Sequence, residues 1–92
     1  MKPVHFIQFM RPDGRQVLTY IMMPDEIAER ALKIKQAGYR FEIEHLMTGF
    51  INMTISTKDQ DCVQEIVPNN EEVVKAVERM INKGYMELLS QG

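Results

Sequence analysis

Two runs of strand-type residues, 4–10 (VHFIQFM) and 16–23 (QVLTYIMM), flank the tetrapeptide Arg11-Pro12-Asp13-Gly14. Proline presets φ at the first corner of a turn, Asp suits the second, and Gly accepts the left-handed conformation that follows, so the segment predicts a β-hairpin. The hairpin carries apolar residues on both faces. Val4, Phe6 and Met10 alternate with Ile7 and Phe9, and Val17 and Ile21 alternate with Leu18, Tyr20 and Met22. A strand with one wet face alternates apolar with polar, so this ribbon needs cover on two sides.

Downstream the hydrophobic period changes. Residues 24–37 (PDEIAERALKIKQA) repeat at helical spacing, with Ile34, Ile27, Ala31, Ala28 and Leu32 on one arc. Pro24 suits the first helical position, and Asp25 and Glu26 favour the positive dipole end. Glu26–Arg30 and Glu29–Lys33 are spaced as i,i+4 ion pairs, and Gly38 reads as a left-handed cap. Tyr39, Phe41, Ile43 and His45 then alternate with Arg40, Glu42 and Glu44, the pattern of a half-buried strand. Thr48-Gly49 turns the chain into a strand built on Ile51, Met53 and Ile55. Lys58-Asp59-Gln60 turns it again into Cys62 to Val67, and Pro68 stops that strand. Asn69, with Glu72 three residues on, fits an N-cap for a last helix over 70–83, whose stripe is Val73, Val74, Val77, Met80 and Ile81. The expected order is ββαβββα in one α+β domain over 1–92: an antiparallel sheet with two helices packed on one face.

The two halves echo each other. Pro24 to Gly38-Tyr39 and Pro68 to Gly84-Tyr85 each run from proline through an acidic start and an apolar helix to Gly-Tyr. A duplication would make Tyr85 to Leu89 a short sixth strand, whereas a helix end followed by an apolar contact accounts for the same residues.

Charge and composition exclude several classes of function. Eleven Lys and Arg stand against thirteen Asp and Glu, and neither part of the chain is a polycation: residues up to Thr48 hold seven cations and six anions, the rest four and seven. Nucleic-acid binding needs a basic stripe that this chain lacks. No apolar run approaches the ~18 residues of a membrane helix, and the N-terminus lacks a basic-then-apolar leader, so a cytoplasmic protein with no membrane partner is expected. Cys62 is the single cysteine, flanked by Asp59, Asp61 and Glu65, which raise a thiol pKa and disfavour a nucleophile. His5 and His45 are the only side chains that titrate near neutrality, and with Glu42, Glu44 or Glu65 they form the one candidate acid–base set, the basis for a small hydrolase. Each shares a predicted strand face with apolar residues, and a histidine hydrogen-bonded in the core or at its margin is the reading that pattern favours over catalysis. Two histidines without a cysteine cluster fall short of a zinc site, and no phosphate loop or nucleophile elbow is present, so no metal, cofactor or catalytic residue is assigned.

Two resemblances add to this reading. The segment 24–83, running αβββα, resembles double-stranded RNA-binding domains in element order. That family grips phosphate with a lysine-rich start of its second helix, where this chain has Asn69-Asn70-Glu71-Glu72. MKPVHFIQFMRPDGR (1–15) and AGYRFEIE (37–44) resemble short uncharacterised proteins of phages and prophages. This second resemblance implies a small protein that acts by binding, and in some cases inhibiting, a host or phage protein. Eight methionines, several of them on the predicted strands, suit an adaptable contact surface. Phe6, Phe9, Met10, Leu18, Tyr20 and Met22 are the expected interface residues, buried in a homodimer or against a protein partner, with the choice of hairpin face left open.

Overall fold

The computed structural model describes residues 1–10, 15–57, 59 and 61–91; the side chains of Phe9, Met10, Asp61 and Cys62 and the turn expected at Arg11-Pro12-Asp13-Gly14 lie outside the described residues. The order is β1 (Lys2–Met10), β2 (Arg15–Met23), α1 (Asp25–Gln36), β3 (Arg40–His45), β4 (Phe50–Ser56), β5 (Asp61–Pro68) and α2 (Glu72–Ser90), the expected ββαβββα.

The five strands form one sheet in the order β2-β1-β3-β4-β5. It is mixed rather than wholly antiparallel, because β1 and β3 run parallel, with Ile7 opposite Glu42 and Gln8 opposite Ile43. After β2 the chain has to lay the apolar stripe of α1 over the hairpin, and it emerges on the far side of β1. That crossing puts β1 in the interior of the sheet and leaves β2 at its margin.

Both helices cover the same face. Val4 and Phe6 of β1, Phe41 and Ile43 of β3, Ile51, Met53 and Ile55 of β4, and Val63 and Val67 of β5 join Ile27, Ala31 and Ile34 of α1 and Val73, Ala76, Val77, Met80 and Ile81 of α2 in one core. The α1 stripe is narrower than its periodicity suggests, since Leu32 is 55% exposed at the rim of the α1–β1 groove. Glu26 and Arg30 pair at 3.2 Å, and Arg30 also donates to Asn82 Oδ1 of α2 at 2.6 Å. Lys33 turns toward the Tyr85 ring, 5.9 Å from its centroid, instead of pairing with Glu29. Pro24 is the cap of α1, with the helix proper beginning at Asp25. The helix ends as expected: Gly38 sits at φ +100°, its N–H donates to Lys35 O, and the Tyr39 N–H reaches back to Ile34 O. These two bonds make a Schellman cap that satisfies carbonyls the helix leaves orphaned.

α2 departs most from expectation. Its start uses Asn70, one residue beyond the expected Asn69, whose Oδ1 accepts from the Glu72 N–H at 2.8 Å. Val74 faces solvent and Ala76 takes its place in the core. The helix does not stop at Gly84 but runs to Ser90. Gly84 is buried, and Tyr85 and Leu88 extend the apolar stripe onto the core. Residues 85–89 are therefore helical rather than the short sixth strand that a duplication would have supplied.

Candidate functional site

Antiparallel pairing fixes which hairpin residues share a face. On the helix side Val4 meets Ile21 and Phe6 meets Thr19, while on the outer side Pro3 meets Met22, His5 meets Tyr20 and Ile7 meets Leu18. Phe6 is thereby removed from the expected interface. It is 1% exposed and packs edge-on against Phe41, ring centroids 5.6 Å apart, because its strand parity points it at the helices. Phe9 and Met10, also expected there, have side chains outside the described residues.

The other three interface candidates, brought together on the outer face, meet solvent. Leu18 is 72% exposed, Tyr20 60% and Met22 40%. Ile7 lies half-buried between Leu18 and β3, and the His5 ring leans on Tyr20 at 5.9 Å between centroids. Across the sheet the same face turns polar through Arg40, Glu42, Asn52, Thr54 and Gln64, with Gln64 Nε2 donating to Asn52 Oδ1 at 2.9 Å. Phe50 and Ile66 form a smaller exposed apolar spot near β5. Both helices lie on the opposite side of the sheet, so among the described residues the apolar part contributed by the hairpin stays open.

Next to it is a depression of about 240 Å³ lined by His5, Ile7, Leu18, Lys35, Tyr39, Arg40 and Phe41. Its floor has a local cause. Among the described residues the parallel pairing of β1 with β3 spans Ile7–Glu42 and Gln8–Ile43 and does not extend to His5. Lys35 of α1 reaches β1 there, its Nζ donating to the His5 carbonyl at 2.6 Å while lying 5.0 Å from the Phe41 ring centroid. Burial of the ammonium pushes its pKa below the usual lysine value. A smaller hollow of about 120 Å³ on the α1 side shares His5 and Lys35 with it.

The acid–base set does not assemble. Strand register puts His5 on the outer face and His45 on the helix side, since Ile7 pairs with Glu42 while His45 shares its face with Phe41 and Ile43. They stand five strand positions apart, roughly 16 Å at ~3.3 Å per residue. Glu65 is engaged by Arg79 of α2 at 3.2 Å. Among the described residues no group of three His, Cys, Asp or Glu could hold a metal, every buried side-chain polar atom has a partner, and no helix is long and apolar enough to cross a membrane.

Sequence reading missed Lys35 and Arg40 as neighbours of the apolar surface. Lys35 carried a signal: it stands four residues after Ala31 and seven after Ala28, inside the apolar arc of α1. Arg40 carried none, because its neighbour is β1, and only the parallel pairing brings that strand alongside. Comparison with family models, curated proteins and solved structures finds no match for this chain.

Proposed function

We propose that this chain is a non-enzymatic protein–protein interaction module of the cytoplasm, of the kind carried by phages and prophages, that binds through the outer face of its opening hairpin. The observation that carries the reading is the solvent exposure of Leu18, Tyr20 and Met22 together on the sheet face opposite both helices. Burying two such side chains against a partner is worth roughly 1.5–3 kcal/mol each, enough to place a contact hot spot there. Self-association is the first case to test, and a host or phage protein is the alternative occupant.

The test is a comparison of the wild-type chain with the double variant Leu18→Glu/Tyr20→Glu. The variant should keep its circular dichroism and melting temperature, since neither side chain is in the core, yet lose self-association in light scattering and lose any captured protein. A variant that binds like wild type would refute the reading.

The hydrolase reading finds no support in the placement of His5 and His45 on opposite faces of the sheet. Nucleic-acid binding is disfavoured by Glu71 and Glu72 at the start of α2, where the RNA-binding topology it resembles presents lysines. Retention on a heparin column should be absent at physiological salt, and salt-dependent retention would reopen that reading.

A further inference from the structure

The two margins of the sheet are finished differently. β5 ends in Pro68, which has no N–H to offer, starts at Asp61, and borders a register irregularity at Ile55/Ser56. These are devices that blunt an edge against pairing with another chain. β2 has none of them. It is nine residues long, contains no proline and no Asp, Glu or Lys, carries one cation, Arg15, at its end, and pairs with β1 without a register shift. Among the described residues no strand pairs with β2 on the side away from β1. A long apolar edge left in that condition is a template for one more strand.

We propose that this strand is β2 of a second copy, paired antiparallel about a two-fold axis at Thr19, so that two sheets join into one. The inference rests on the hairpin being the binding element and goes further by naming the occupant and the register. A two-fold axis requires opposed residues to lie on the same face, so the axis passes through a residue. Thr19 is the centre of Arg15–Met23 and the axis that uses the whole strand, a seam roughly 30 Å long at ~3.4 Å per residue.

In that register the strand complements itself on both faces. Leu18 meets the copy's Tyr20 and Gln16 meets Met22 on the outer side; Val17 meets Ile21 and Arg15 meets Met23 on the helix side. Leu18–Tyr20 and Val17–Ile21 set apolar against apolar on the two faces beside the axis, Gln16 and Arg15 lie against methionines at the ends, and no like charges face each other. The seam covers Val17, which is 40% exposed although it lies on the helix side, together with the flanks of Leu18 and Tyr20. An unrelated strand would have to supply apolar residues on both of its faces to do the same.

Disulfide trapping tests the register. In a Cys62→Ala background, Thr19→Cys places two thiols across the axis at a Cα separation of about 4.5–5.5 Å, within disulfide reach. Gln16→Cys places them six positions apart, roughly 20 Å. We expect Thr19→Cys to oxidise to a covalent dimer at least about tenfold faster than Gln16→Cys, and wild type to scatter as a dimer at roughly 100 μM. Because Thr19 is half-buried and its variant could misfold, amide hydrogen exchange on the wild-type chain supplies a second readout. Protection of β2 amides should fall on dilution while that of β3 and β4 holds. A strict monomer at that concentration overturns self-pairing but leaves a foreign partner for the hairpin face. A dimer that Leu18→Glu/Tyr20→Glu dissolves, yet with Thr19→Cys no faster than Gln16→Cys and β2 amides unprotected, overturns edge pairing and keeps the face.

Discussion

At the scale of single residues, side-chain parity decides most consequences. Phe6 and Leu18 are both large apolar residues of the same hairpin, yet they should behave oppositely. Phe6→Ala empties a fully buried site and is expected to cost about 3–5 kcal/mol in chemical denaturation, whereas Leu18→Ala should change stability by less than about 0.5 kcal/mol. Equal losses would show that the hairpin faces have been assigned the wrong way round. Gly84 is a second case. A Cβ built there would lie 3.4 Å from Ile34 Cδ1 and 3.7 Å from Ile55 Cδ1, ordinary contact with the ends of movable side chains. Gly84→Ala should therefore stabilise α2 by about 0.5–1 kcal/mol through helix propensity, while Gly84→Leu, which overfills the α2–sheet contact, should destabilise by about 1–3 kcal/mol. Lys35 links packing to pH. Its folded pKa lies below its ordinary 10.5 because burial disfavours the ammonium. The unfolded chain then binds more protons, so this lysine's contribution to stability rises with pH between the depressed value and 10.5. Denaturation of wild type and Lys35→Met across alkaline pH should show the wild type gaining on the variant as 10.5 is approached, and a pH-independent difference would contradict the assignment.

At the scale of elements, local pattern and tertiary contact divide the work. The alternation of β3 and β4 and the Gly38 cap of α1 were readable because each is a short-range matter of side-chain period or backbone sterics. The far end of α2 was not. Gly84-Tyr85 looks locally like a terminus, and the helix continues there because Tyr85 and Leu88 find the core and Gln91 beyond them donates to the Tyr39 hydroxyl at 3.2 Å. Truncation after Lys83 should accordingly lower the melting temperature by several degrees and expose the core to dye binding. A chain that tolerates the cut unchanged would mean that the last two turns are ornamental. The interface residues were partly legible. Residues of both hairpin faces were candidates because both are apolar, and only helix packing separated Phe6 from Leu18, Tyr20 and Met22.

At the scale of the whole molecule, one sheet with its helices on a single side has a face and an edge left over. The net charge of −2 is small enough that self-repulsion scarcely opposes association. Scattering mass should hence depend on protein concentration and hardly at all on salt between about 50 and 500 mM, since the contacts at the seam are apolar. A dimer that dissolves in salt would point to Arg15 or Arg40 instead. Hydrophobic period, turn chemistry and capping residues by themselves determined seven elements, their order and the surplus of apolar surface on the first two strands, because each depends on neighbours within a few positions. Which strand lies beside which, which hairpin face the helices shelter, and that β2 rather than β1 is left at the margin were decided only in three dimensions. Those outcomes follow from where α1 can bury its stripe, a contact between segments whose separation along the chain no local pattern encodes.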